Sequence, residues 1–296
     1  MDFKPHGIIP PIITPFTCDC QVDYDMLREM VDFLITNGVH GIFPLGTTGE
    51  FYAVNNDEYK KILQTVKETV DGRVPVYAGT NHITTRGVIE LIKICEEVGV
   101  DAISVLTPMF ISQTQSELYN YFRDIAYSTD LPIVLYNNPP KTGINIAPAT
   151  LAQLSEISNI IAIKDSSGDM TNTMEYIRLT KDNDNFSVIM GRDTLIYPAL
   201  KCGAVASIAS CANIAPRLVA DIYDKFMAGD DEGALEAQFK LSPLRLATNM
   251  GTFPAVIKEG LVMQGIDVGK CMDPIAELTL EEKDKLRAVL KDMKLI

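Results

Sequence analysis

Ile160-Ile161-Ala162-Ile163-Lys164 is a short apolar run that ends in a single amine, and the polar residues 165–169 follow it directly. A β-branched run of this length is typical of a buried strand. Burial disfavours the ammonium form of lysine and lowers its pKa, which would make Lys164 a nucleophile able to form a Schiff base with a carbonyl compound. A lysine at a strand end can also extend to water without any chemical role. The rest of the chain has to distinguish these two interpretations.

Runs of the same kind recur along the chain, separated by segments with helical spacing of apolar residues. The predicted strands are 7–14, 41–45, 75–79, 102–107, 132–136, 160–164, 186–190 and 204–210. The predicted helices between and after them are 24–36, 57–70, 85–98, 116–128, 148–156, 171–180, 194–201 and 216–227. Eight strand and helix pairs in roughly 225 residues match a parallel (β/α)8 TIM barrel, an α/β fold. A doubly wound open sheet is the alternative, but 10–15 (Pro-Pro-Ile-Ile-Thr-Pro) stands where that fold needs a glycine fingerprint.

The strand pattern stops near residue 230, and only helical patterns follow. We predict helices at 233–248, 253–264 and 279–293, with 265–274 as a connecting loop. The expected organisation is therefore a catalytic barrel over residues 1–228 and a small C-terminal domain of three helices over residues 229–296.

Composition limits the classes of partner. The chain has 296 residues, 47% of them hydrophobic and 22% charged, as in an ordinary globular enzyme. A net charge of -13 without any Lys/Arg-rich block argues against nucleic-acid binding. The longest apolar runs have the length of strands, and residues 1–6 do not resemble a signal peptide. We expect a cytoplasmic protein with no nucleic-acid or membrane partner. The six cysteines are scattered along the chain and only three histidines are present, which indicates neither a disulfide framework nor a metal site.

Two polar side chains end neighbouring predicted strands. In a (β/α)8 barrel the active site lies at the carboxyl ends of the strands, where Tyr136 ends the fifth predicted strand and Lys164 the sixth. Side chains alternate along a strand, so both residues can face the barrel interior together. The same alternation predicts Ile160, Ala162 and Val134 inside the barrel and Ile161, Ile163, Ile133 and Leu135 against the helices.

A phenol beside an amine suits carbonyl chemistry. Carbinolamine formation, its dehydration and enamine protonation all move protons, which Tyr136 could transfer. Tyr136 could equally be a packed aromatic residue whose hydroxyl is satisfied. The segment Gly46-Thr47-Thr48-Gly49, after the second predicted strand, offers backbone N–H groups and two hydroxyls that suit a small carboxylate, although a polar loop alone would explain it.

Three motifs stand in a fixed order along the chain. They are Gly46-Thr47-Thr48-Gly49-Glu50, then Tyr136-Asn137-Asn138-Pro139 followed by Thr142-Gly143, and finally Ile161-Ala162-Ile163-Lys164-Asp165. Together they resemble the dihydrodipicolinate synthase and N-acetylneuraminate lyase superfamily, the pyruvate-dependent class I aldolases. The resemblance extends along the whole chain.

The resemblance implies a (β/α)8 barrel with a C-terminal helical domain, commonly assembled as a homotetramer that is a dimer of dimers. It implies that Lys164 forms the Schiff base with pyruvate and that Tyr136 is the proton relay. Thr47 and Thr48, with Gly46, would bind the pyruvate carboxylate and connect to Tyr136. No metal or organic cofactor is expected. The residues implied to line the same pocket are Asp193, Ser207 and Ile208.

Two positions depart from the pattern of the superfamily. Many relatives carry a tyrosine that reaches into the neighbouring subunit's site, where this chain has Phe110 in Thr107-Pro108-Met109-Phe110. Synthases of the lysine pathway carry an arginine that grips the carboxylate of the aldehyde, where this chain has Lys141. Phe110 has no hydroxyl and would interrupt the proton relay, and Lys141 keeps the charge but loses the bidentate fork.

Several functions remain open at this level. The leading hypothesis is an enzyme that condenses pyruvate with an aldehyde, or releases it from a 2-keto-3-deoxy acid, through Lys164. Phe110 and Lys141 count against a 4-hydroxy-tetrahydrodipicolinate synthase, so a 2-keto-3-deoxy sugar-acid aldolase ranks equal to it or slightly higher, and an N-acetylneuraminate lyase comes third. A non-catalytic barrel that binds pyruvate is the alternative from another class. A phosphate-binding barrel is a third possibility, but this chain lacks the glycine-rich loops that such a barrel would have after strands seven and eight.

Overall fold

Parallel strands form one curved sheet in the order β1-β7-β6-β5-β4-β3-β2. The computed structural model describes residues 3–296. The strands are β1 Gly7–Ile8, β2 Tyr77–Gly79, β3 Ala102–Leu106, β4 Ile133–Asn137, β5 Ile160–Asp165, β6 Ser187–Met190 and β7 Ala206–Ser207. All pairings between neighbouring strands are parallel.

The segment 41–45 closes the sheet between β1 and β2. Ile42 forms a parallel bridge with Val76 and accepts a hydrogen bond from Tyr77 N at 2.8 Å. On the other side, Phe43 N donates to the carbonyl oxygen of Pro10 at 2.9 Å. The predicted barrel is thereby confirmed, with the second strand reduced to this bridged segment. Prolines on and beside this segment lack the N–H group that a continuous ladder needs.

Helices cover the outside of the barrel and continue beyond it. Those that follow the strands are α1 Tyr24–Thr36, α2 Asn56–Val70, α3 Thr85–Val98, α4 Gln115–Ala126, α5 Pro139–Thr142, α6 Pro148–Leu154, α7 Met170–Thr180, α8 Ile196–Cys202 and α9 Pro216–Met227. Three more follow residue 229: α10 Asp231–Ala247, α11 Ala255–Met263 and α12 Leu280–Asp292. The short helix α5 was not predicted, because its four residues are too few to show a helical period. The division of the chain at residues 228 and 229 stays a prediction.

A β-bulge interrupts the alternation of side chains in β5. Ile133 pairs with Ile160, but the next residue of β4, Val134, pairs with Ala162. Ile161 is therefore an extra residue and packs inside the barrel, whereas Ile160 packs against the helices. The prediction of the opposite orientations for these two isoleucines is wrong, because one inserted residue reverses a two-residue period.

Beyond the bulge the predicted register holds. Tyr136 of β4 lies directly opposite Lys164 of β5. Ile163 and Leu135 belong to the core between strands and helices, as expected. The barrel interior holds a separate apolar cluster: Ile9, Phe43, Tyr77, Ala102, Val134, Ile161, Ala162, Ile189, Ala206 and Ile208. This filled interior leaves the polar residues of β4 and β5 at the carboxyl end of the barrel.

A buried ion pair connects α11 to the barrel. Lys258 Nζ lies 2.7 Å from Glu50 Oε1, and both side chains are almost completely buried. Lys258 also donates to the carbonyl oxygen of Lys270 at 3.0 Å, and Met272 N donates to Glu50 Oε2 at 2.9 Å. Helix α11 and the loop after it are thus joined to the turn that follows Thr47 and Thr48.

No helix within residues 3–296 is long and apolar enough to cross a membrane.

Candidate active site

A cavity of about 190 Å³ opens at the carboxyl ends of the barrel strands. Lys164 and Tyr136 lie on its wall, both buried. Of the other predicted site residues, Thr47, Thr48, Lys141, Asp193 and Ile208 also line it. The structure therefore brings together seven of the ten candidate residues.

Lys164 is held in contact with aromatic rings. Its Nζ lies 3.9 Å from the centroid of the Tyr136 ring and 5.2 Å from that of Phe43. Burial lowers the pKa of Lys164, and the attraction of Tyr136 and Asp193 opposes that shift without cancelling it. The lowered pKa increases the fraction of neutral amine, which is the nucleophilic form.

Tyr136 has a polar environment around its hydroxyl. Asn138 Nδ2 donates to the phenol oxygen at 2.9 Å. Burial by itself would raise the pKa of Tyr136, but the charge of Lys164 and hydrogen bonding by Thr47, Ser166 and Lys164 outweigh it, so the pKa lies below its ordinary value. A phenol with a lowered pKa can give up and recover a proton more readily, as a relay requires.

The turn 46–50 supports one side of the cavity. Thr48 is buried and Thr47 is partly buried, and both contact the cavity. A Cβ on Gly49 would lie 2.9 Å from the carbonyl oxygen of Ile12, so only glycine fits there. Gly46 does not line the cavity; its carbonyl oxygen accepts a hydrogen bond from Phe51 N.

Asp193 and Ser207 are both buried but differ in their surroundings. Asp193 accepts hydrogen bonds from Cys211 N at 2.7 Å and from Ser210 Oγ at 3.4 Å, and it borders the cavity. Ser207 Oγ donates to the carbonyl oxygen of Met190 at 2.9 Å and does not line the cavity, whereas the next residue, Ile208, does.

The two residues that depart from the superfamily pattern are both exposed. Lys141 lies on α5 at the cavity rim, with its Nζ 5.8 Å from the centroid of the Phe253 ring. Phe110 is 89% exposed, has a positive φ of 76°, and does not line the cavity. The location of Phe110 near the active site of a neighbouring subunit stays a prediction, because it depends on a second copy of the chain.

Sequence reasoning missed one wall of the cavity. This wall consists of Arg192 after β6, Arg245 on α10, and Thr248, Asn249 and Phe253 after it. Arg192 comes two residues after the predicted strand 186–190, so its position near a strand end was a usable signal. Arg245 has no such signal, because it reaches the barrel only through the packing of α10.

The cavity is strongly cationic. Among the lining residues, the charged ones are Lys141, Lys164, Arg192, Asp193 and Arg245. Besides the Lys164 amine, three cations thus share the cavity with one carboxylate, although the chain as a whole carries a net charge of -13. A cationic cleft in an acidic protein attracts anionic ligands selectively.

A sequence profile of the dihydrodipicolinate synthetase family matches residues 4–293. The chain belongs to this family. It is 40% identical to the 4-hydroxy-tetrahydrodipicolinate synthase of Methanothrix thermoacetophila over 97% of both chains. It is 39% identical to the enzyme of the same name from Methanocaldococcus jannaschii, over 98% of this chain and 99% of that one.

Solved structures of the family superpose closely on this chain. A crystal structure of dihydrodipicolinate synthase matches with a TM-score of 0.94 and 39% identity, covering 98% of this chain and 100% of the other. The E. coli K12 family member YagE, solved in complex with pyruvate, matches with a TM-score of 0.94 and 32% identity over 98% and 99% of the two chains. The chain is therefore an enzyme of the class I, pyruvate-dependent lyase and synthase type, on a TIM barrel.

Proposed function

We propose that the protein is a 4-hydroxy-tetrahydrodipicolinate synthase that condenses pyruvate with an aldehyde carrying its own carboxylate. The observation that carries the proposal is the contact of the Lys164 amine with the Tyr136 ring in a cavity lined by three further basic side chains. The named relatives support the synthase, against which Phe110 and Lys141 had counted, over a sugar-acid aldolase.

The site residues have distinct roles in this proposal. The neutral amine of Lys164 attacks the keto carbon of pyruvate, whose carboxylate Thr47 and Thr48 hold. Tyr136 protonates the carbinolamine oxygen, and water leaves to give the Schiff base. Tyr136, now deprotonated, accepts a proton from the pyruvate methyl group, which gives the enamine. Its carbon attacks the aldehyde, Tyr136 returns a proton to the new alkoxide, and hydrolysis frees Lys164.

Supporting residues complete the proposed pocket. Gly46, Ser207 and Ile208 would shape its floor, and Asp193 would orient the cations around the second substrate. No metal or organic cofactor takes part in the proposed chemistry.

A substrate panel tests the proposal. Purified protein with pyruvate and aspartate semialdehyde should form product with a kcat/KM well above that for cleavage of 2-keto-3-deoxygluconate or N-acetylneuraminate. A higher kcat/KM for 2-keto-3-deoxygluconate would identify a sugar-acid aldolase instead. The exposed Lys141 would suit that activity, because a lysine cannot form a bidentate pair with the carboxylate of an aldehyde substrate.

Replacing Tyr136 with phenylalanine should lower kcat about 100- to 10,000-fold, because the change removes the proton-transferring hydroxyl while keeping the ring. The KM for pyruvate should change much less, since Thr47 and Thr48 hold the carboxylate. Steady-state kinetics with both substrates measures the two constants. A KM effect larger than the kcat effect would contradict the relay role.

Formation of the pyruvate adduct should accelerate with rising pH up to a limit below 10.5, the ordinary lysine value, because burial lowers the pKa of Lys164 and only its neutral amine reacts. The rate of borohydride trapping, measured at fixed pyruvate concentration over a range of pH, gives this rising limb of the pH–rate profile. Tyr136 raises the pKa of Lys164, so Tyr136→Phe should move the limb to lower pH. A move to higher pH would refute the proposed pairing of the two groups.

Assembly and location are further parts of the proposal. The exposed Phe110 and Ile111, which are 89% and 55% accessible, are large apolar side chains that a subunit interface would cover. We propose a homotetramer built as a dimer of dimers, in which these side chains lie at an interface, and a cytoplasmic location.

A further inference from the structure

We propose that Arg245, assisted by Arg192, forms the subsite that binds the carboxylate of the aldehyde substrate. The inference rests on the proposed synthase function. In this inference, Arg245 of α10, which lies outside the barrel strands, selects the aldehyde substrate, and Lys141 is not the sole residue that does so.

Arg245 is an arginine with unused hydrogen-bonding capacity beside the cavity. Its side chain is 16% exposed, and its buried Nε has no hydrogen-bond partner within residues 3–296. The nearest acceptor, Asp193 Oδ2, lies 3.7 Å from Nε, too far for a hydrogen bond. Nη1 donates to Thr248 Oγ1, which fixes one edge of the guanidinium. A buried donor without an acceptor is costly, so a ligand oxygen that came within reach of this guanidinium at the cavity wall would be bound favourably.

Arg192 brings a second guanidinium to the same wall. It is half-buried, and Gly168 makes room for it, since a Cβ there would lie 3.0 Å from Arg192 Nε. Burial lowers the pKa of Arg192, and the nearby charge of Arg245 lowers it further. Two cations that repel each other on one wall of a cavity favour binding of an anion beside them.

The one acid of the cavity balances only part of the charge of this wall, because a single carboxylate faces two guanidinium groups. Asp193 already accepts hydrogen bonds from Cys211 N and Ser210 Oγ, so its carboxylate is largely committed to the loop after β7. It orients Arg245 at 3.7 Å while leaving the Nε donor free.

Lys141 is less suited to hold the same carboxylate. It is exposed to solvent, where a charge interaction is weakened by water and salt, whereas Arg245 is largely buried. A guanidinium can also donate two parallel hydrogen bonds to a carboxylate, which an ammonium cannot. Arg245 therefore supplies the fork that position 141 lacks.

Steady-state kinetics of Arg245→Gln and Arg245→Lys tests the inference, with aspartate semialdehyde as the probe. The glutamine variant should raise the KM for aspartate semialdehyde about 10- to 100-fold, the range for a lost hydrogen bond between charged groups. The lysine variant should recover part of this loss, because it restores the charge without the fork. The KM for pyruvate and the yield of borohydride-trapped adduct should stay within about twofold of the original protein, since neither involves the aldehyde.

The matched control is Arg178→Gln, an exposed arginine on α7 that pairs with Glu175. It should change neither KM. An unchanged KM for aspartate semialdehyde in both Arg245 variants would overturn the inference, and so would equal losses for pyruvate and aldehyde, which would indicate a structural role. Absence of turnover and of trapping in the original protein would instead overturn the proposed synthase function.

Discussion

Replacing Lys164 with alanine should abolish turnover, with a loss on the order of 10,000-fold or more, because no other described amine contacts Tyr136 in the cavity of residues 3–296. The reason is the covalent step: without an amine at this position pyruvate cannot be converted into an enamine. Mass spectrometry after incubation with pyruvate and borohydride should find the reduced adduct on Lys164 in the original protein and no adduct at that position in the variant.

Lys201→Ala is the matched control, since Lys201 is an exposed lysine on α8 that pairs with Asp231. It should retain both the adduct and the activity. A thermal melt should show that Lys164→Ala is folded, because removing a buried amine relieves a desolvation cost. Turnover that persists in a folded Lys164→Ala protein would disprove the Schiff-base mechanism.

Replacing Lys258 with methionine should lower the free energy of unfolding by about 3 to 5 kcal/mol, because the change leaves the carboxylate of Glu50 buried without its cation. Burial lowers the pKa of Lys258, but Glu50 at 2.7 Å raises it again in part, as expected for a pair whose members depend on each other. Urea denaturation followed by circular dichroism measures the loss.

Two variants make this test specific. The double variant Glu50→Gln/Lys258→Met removes both charges and should recover much of the stability, since the penalty comes from the unpaired charge. Lys285→Met, which breaks an exposed pair with Glu281 on α12, should leave the denaturation midpoint unchanged. Equal destabilisation by the single and double variants would mean that packing, not charge, controls this position.

The sequence predicted those features of the site that depend on local pattern. Strand periodicity and the position of strand ends were enough to place Tyr136 beside Lys164, and the structure pairs them in register. The bulge at Ile161 could not be predicted, because an inserted residue leaves the apolar run unchanged in composition. The run Ile160 to Ile163 is apolar on both faces, so it fits either register.

Long-range contacts account for what the sequence did not show. Glu50 is 222 positions from Met272, whose N–H it accepts, and no pattern in either segment indicates the other. Arg245 resembles any cation on a helix until α10 packs against the barrel. Motifs therefore identified the residues of the proposed Schiff-base chemistry, but not those on the opposite wall.

The contact between Glu50 and Lys258 also has a consequence for recombination between family members. A chimaera that joined this barrel to the C-terminal helices of a relative would have to supply a cation at position 258 and an amide N–H at position 272, or else the turn that carries Thr47 and Thr48 would lose its support. Exchange of the C-terminal helices should therefore preserve the turn only when the incoming segment matches these two contacts, whatever boundary separates the parts in sequence.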